Sequence, residues 1–134
     1  MITAVDTSVL ICIDQGEPDA QAWVESLAAA RAEGALRVCE TVVAEFFAVV
    51  MNEEEMNATL ADLGIEFAPT SRRAACHAGE IFRRYRDDGG PREHLIPDFM
   101  IAAHAMIDGD RLASADRGYL RRYFPRLTLL APAR

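Results

Sequence analysis

At 134 residues, with 51% hydrophobic residues and a mean hydropathy of +0.01, the chain has the size and composition of one domain with a real core, which excludes disordered and membrane-embedded classes. No apolar run approaches the roughly 18 residues of a membrane span. The net charge of −7 makes it a poor non-specific nucleic-acid binder.

Residues 2–6 (ITAVD) read as a short buried strand and residues 7–16 (TSVLICIDQG) as a helix stopped by Gly16. A second helix is expected over 18–33, with Pro18 in its first turn and Gly34 at its end. Residues 36–39 (LRVC) make a strand, and 41–51 a helix capped by Thr41. Asn52 and Glu55 form a capping box opening the helix that Gly64 ends. Residues 65–68 (IEFA) are a third short strand, and Thr70 or Ser71 starts a long amphipathic helix reaching Gly89 and Gly90. After the loop GGPREHLIP, residues 98–107 are apolar around almost the whole circumference and predict a buried helix. Residues 111–114 (RLAS) and 127–130 (LTLL) are strands either side of a short helix near 117–123. Strands alternating with helices predict an α/β/α sandwich, a short-stranded and mainly parallel sheet flanked by helices, in one domain over 1–134.

Charge is distributed unevenly. Residues 1–70 carry 13 acids and 2 arginines, whereas residues 71–134 carry 8 acids and 12 arginines, so the second half can still present arginine to phosphates. All 14 basic residues are arginine; the chain has no lysine. Cys12, Cys39 and Cys76 are odd in number and show no zinc-like spacing. Each is expected to be a small buried hydrophobe in a reducing compartment, the cytoplasm. With neither a basic lead nor a small-residue cleavage site, no signal peptide is expected.

Four acids fall at strand exits or early helix turns. Asp6 closes the first strand, where sites form in open parallel sheets, although an Asp there also caps helices. Glu45 lies one turn into its helix, one residue too late for a capping box, beside the stripe of Val42, Phe46 and Val50; a solvated border glutamate is the bland alternative. Asp98 is the only acid in residues 98–107 and sits in the first turn, favoured by the helix dipole. Asp116 leaves the strand RLAS as Asp6 leaves ITAVD, and a helix cap or an arginine partner would also explain it. Two carboxylates about 5 Å apart repel by roughly 3 kcal/mol at an effective dielectric of 20. A converging set therefore calls for protonation, arginines or a divalent cation, and Mg²⁺ or Mn²⁺ suits oxygen ligands.

The stretches AVDTSVLI, TVVAEF, IPDFMIAAHA and LASADRGYLRRYFPRL resemble, in order and over nearly the whole chain, the motifs of PIN-domain ribonucleases, and among these the VapC-like toxins of bacterial toxin–antitoxin pairs. The resemblance implies Mg²⁺- or Mn²⁺-dependent endonucleolytic hydrolysis of RNA, with Asp6, Glu45, Asp98 and Asp116 as catalytic and metal-binding acids. Glu40 lies close enough to Glu45 to compete for the second place. Ser8 and Ser114 match supporting hydroxyl positions. Arg86, Arg92 and Arg117 are candidate RNA contacts, and a cognate antitoxin and a homodimer are the implied partners. A haloacid-dehalogenase-like phosphatase needs an Asp where Ser8 stands and a downstream lysine; receiver domains and P-loop NTPases also need lysine. The remaining alternative is a non-catalytic PIN-fold module that binds RNA or protein. His77, His94 and His104 are read as structural, His104 as a core histidine, and Trp23 as core or interface.

Overall fold

The computed structural model describes residues 1–133 apart from residue 117. In chain order the elements are β1 (Thr3–Val5), α1 (Thr7–Asp14), α2 (Ala20–Glu33), β2 (Leu36–Val38), α3 (Glu40–Val50), α4 (Glu53–Leu63), β3 (Ile65–Phe67), α5 (Arg72–Asp87), α6 (Ile96–Asp108), β4 (Arg111–Ala113), α7 (Gly118–Tyr123) and β5 (Thr128–Leu130). The strands form one sheet in the order β3-β2-β1-β4-β5, every pair parallel, with Ala4 in register with Arg37 on one side and Leu112 on the other. From β1 the sheet grows first towards β3 and then, after the return through α5 and α6, towards β5. Right-handed crossovers in opposite directions put helices on both faces, and the reversal makes the β1/β4 junction the crevice where α/β sheets collect ligands.

The expected α/β architecture is the one observed, with local shifts. Each strand is three residues long, and from β1 to β4 pairing stops where the chain leaves for the next helix. The third helix starts at Glu40 with Cys39 in the cap position, so Thr41 is not its cap. The second helix begins at Ala20, past Pro18. The buried helix begins at Ile96, which places Pro97 in its first turn, where a missing N–H costs nothing. Asn52 and Ser71 cap as the sequence predicts, accepting the N–H of Glu55 and Ala74, and Gly64 ends α4 at φ 71°.

Sheet residues Val5, Leu36, Val38 and Leu112 pack against Trp23, Leu27, Phe46 and Phe99. Trp23 therefore belongs to the core, as does His104, whose pKa burial pushes down. Cys12 and Cys39 are buried as expected. Cys76 is exposed: it lies on the solvent side of α5, between the inward positions Ala74 and Ala78, so the expectation of a third buried thiol is corrected.

Candidate active site

Asp6 stands at the carboxyl end of the central strand β1, and its own N–H extends the ladder by donating to the Ala113 carbonyl at 2.9 Å. Although Asp6 occupies the cap position of α1, its side chain makes no capping hydrogen bond. Two hydroxyls converge on its Oδ2: Ser114 donates at 2.7 Å and Ser8 at 3.0 Å. Each hydroxyl also accepts a backbone N–H from the segment leaving β4, Ser114 from Asp116 at 3.1 Å and Ser8 from Ala115 at 3.2 Å. The D-T-S step and the exit of β4 are thus stitched together around one carboxylate.

Glu45 reaches this place from α3, which packs on α1. Thr7 Oγ1 donates to Glu45 Oε1 at 2.6 Å. The nearby Glu40 is exposed and accepts the N–H and hydroxyl of Thr70 at 3.0 Å each, so the two glutamates have separate roles. Asp98 comes from the first turn of α6: its Oδ2 accepts the Leu95 N–H at 3.0 Å and lies 3.7 Å from His94 Nδ1. Asp116 is exposed, and its Oδ1 accepts the Gly118 N–H at 3.3 Å.

These groups feel one another. Burial pushes the Asp6 carboxyl above its ordinary range, the Ser114 and Ser8 hydroxyls oppose the shift, and the charge of Asp98 adds to it. Burial likewise raises Glu45 against the Thr7 hydrogen bond, with Asp6 and Asp98 contributing. Tyr119 is half-buried among them. Burial and then the charges of Asp98, Asp6, Asp116 and Glu45 push its phenol up, so it stays protonated and donates to the Asp98 carbonyl at 3.3 Å. Among the described residues, Asp6, Glu45 and Asp116 have no ion-pair partner.

The four acids all lie near enough to Tyr119 to act on its phenol, without closing into a compact set. Among the described residues, no three Asp, Glu, His or Cys side chains are grouped closely enough to hold one ion. The backbone donors of Leu95 and Gly118 draw Asp98 and Asp116 aside, and mutual repulsion favours the spread. The helix-start roles considered for these two acids, first turn for Asp98 and cap for Asp116, are therefore real, whereas the Asp6 side chain makes no capping hydrogen bond.

A PIN domain family model matches residues 3–125. The chain belongs to the PIN-domain family. This PIN domain is similar in fold to VapBC2 from Rickettsia felis bound to a DNA fragment from their promoter, at 18% identity and TM-score 0.75, covering 98% of this chain and 99% of that one. VapBC-1 from nontypeable Haemophilus influenzae gives 18% identity and TM-score 0.73 over 98% of each chain, and FitAcB from Neisseria gonorrhoeae 21% and 0.61 over 97% of this chain and 96% of that one. No curated protein sequence matches the chain significantly. No helix among the described residues is long and apolar enough to cross a membrane.

In this PIN domain, Arg86 and Arg92 are exposed, and Arg86 lies 5.8 Å from the Phe82 ring centroid. Arg117 lies outside the described residues. Sequence reasoning passed over Thr7, His94 and Tyr119. Thr7 could have been found from its place between Asp6 and Ser8. His94 was read as structural, yet it sits against Asp98 and stacks on Tyr119 with ring centroids 4.0 Å apart. That contact joins the loop before α6 to α7 and has no signature in local spacing.

The raised carboxyls have a consequence for stability. A group whose folded pKa exceeds its unfolded value makes the folded state bind more protons, so stability is lost as pH rises from about 4 through the raised value. Glu45→Gln keeps an acceptor for Thr7 and removes that loss. In denaturant titrations without divalent ions, the variant matches wild type near pH 4 and exceeds it increasingly towards pH 7.

Proposed function

We propose that this PIN domain is a divalent-metal-dependent endoribonuclease acting as the toxin of a cytoplasmic toxin–antitoxin pair. The observation that carries the reading is Asp6, a carboxylate at the sheet's switch point, raised by burial, held by neutral donors and facing other acids with no ion-pair partner among the described residues. Natural sites tolerate such electrostatic cost where function requires it. An all-oxygen donor set fits Mg²⁺ or Mn²⁺, and its spread suits Mg²⁺, which keeps several waters and needs only one or two direct carboxylates.

Asp6, Asp98 and Asp116 would hold the ion, and Glu45 would complete the set directly or through water. When bound, the cation would supply neutralising charge, polarise the scissile phosphate and acidify a water. Ser8 and Ser114 fix the Asp6 carboxylate so that it needs no reorganisation. Glu45, with its proton affinity raised, is suited to accept a proton from the attacking water. Arg86, Arg92 and Arg117 would contact the RNA backbone without reading sequence. A cognate antitoxin covering the crevice and a homodimer follow from the resemblance, and the VapBC names of the similar solved structures support the antitoxin.

RNA cleavage by wild type and Asp98→Asn, with Mg²⁺, with Mn²⁺ and with chelator, tests the reading. Wild type is expected to cleave only with a metal, and the variant about 10²–10⁴-fold more slowly. Cleavage surviving both chelator and substitution would end the hydrolytic proposal. The spread of Asp98 and Asp116 favours one second reading, a non-catalytic RNA- or protein-binding module. RNA binding without cleavage at millimolar Mn²⁺ would establish it.

A further inference from the structure

A cleft of about 340 Å³, large enough for a small ligand, opens beside the acids between the turn after α5 and helix α7. Its walls are aromatic. His94 and Tyr119 stack at 4.0 Å and 32°, and Tyr123 meets Tyr85 edge-on with centroids 5.2 Å apart. The Arg122 guanidinium lies 5.3 Å from the Tyr123 ring centroid. Gly90 keeps the cleft in shape, since a Cβ there would sit 2.5 Å from the Tyr85 ring. The same two side chains, His94 and Tyr119, line the cleft and touch Asp98.

We infer that this cleft is a nucleobase subsite in which an unpaired RNA base next to the scissile phosphate stacks on the His94–Tyr119 pair while Arg122 contacts the adjoining phosphate. The inference rests on the ribonuclease reading for RNA as the source of the base. Asp88 and Glu93 also line the cleft, which disfavours an anion alone but offers acceptors to base N–H groups. A flat neutral ring with polar edges matches this lining. Stacking also adds affinity without adding charge, which matters for a protein of net charge −7 that binds a polyanion.

The test is made in chelator, so that no RNA is cut. Adenosine, titrated against the wild-type protein, is expected to shift the aromatic NMR signals of His94 and Tyr119, whereas ribose 5-phosphate leaves them in place. Binding of a labelled mixed-sequence single-stranded RNA of about 12 nucleotides is expected to fall roughly 5- to 150-fold in Tyr119→Leu and His94→Ala, and to stay within about twofold in Tyr119→Phe. If circular dichroism shows Tyr119→Leu unfolded, His94→Ala decides. Silent rings at about 10 mM adenosine, equal shifts from ribose 5-phosphate, or undiminished RNA binding in the deciding variant would overturn the subsite. An active enzyme with silent rings refutes only the subsite. An inactive protein whose rings respond refutes only the ribonuclease reading.

Discussion

Asp6→Asn abolishes RNA cleavage, by at least about 10²–10⁴-fold, and at the same time raises the melting temperature of the metal-free protein. The two effects have one cause. The carboxylate is half-buried at the end of β1, desolvation raises its proton affinity, and the hydroxyls of Ser114 and Ser8 donate to it. Asparagine offers the same hydroxyls an acceptor oxygen and removes a half-buried charge that has no ion-pair partner among the described residues. A gain on the order of 1 kcal/mol corresponds to about 3–6 °C for a chain of this size. Calorimetry in chelator, with a cleavage assay on the same preparation, measures both. A variant that is inactive because it has lost stability would show that Asp6 is a structural residue.

Phe99→Ala destabilises the protein by about 3–5 kcal/mol, much of the roughly 5–15 kcal/mol that holds a domain together. Phe99 is fully buried, directly after Asp98, and its ring contacts Phe82 at 5.2 Å, Tyr85 at 5.1 Å and Tyr119 at 5.5 Å. It therefore joins the core to the wall of the crevice. Removing it leaves a cavity under the first turn of α6 and frees Tyr119 to move away from the Asp98 carbonyl. Phe99→Leu refills most of the volume and is expected to cost less than half as much. Urea titration of the two variants checks the order; equal midpoints to wild type for Phe99→Ala would show that the ring is not part of the load path.

The order of strands and helices was legible because the caps are local. Asn52 accepts from Glu55, Ser71 accepts from Ala74, and Gly64 takes the left-handed conformation. Starts whose cap position holds an apolar residue or a cysteine were missed: α3 opens at Glu40 behind Cys39, and α6 opens at Ile96 behind Leu95, with Pro97 tolerated in the first turn. In the candidate site, the placement of Asp6 at a strand exit was readable from the end of an apolar run. The helix-start roles of Asp98 and Asp116 were readable too, but which backbone donors they take, those of Leu95 and Gly118, is settled only once the loops are folded. The contact of His94 with Tyr119 was invisible for the same reason: the loop before α6 meets α7 across 25 residues of chain.

In the proposed mechanism, Asp6 anchors a cation among acids drawn from separate segments. Titrating Mn²⁺ into the protein at neutral pH, with the free ion read by electron paramagnetic resonance, addresses it without any RNA. Wild type is expected to remove Mn²⁺ from the free pool and Asp6→Asn, folded and more stable, to leave it there. Equal uptake by the two proteins, or none by wild type at millimolar Mn²⁺, would contradict the account.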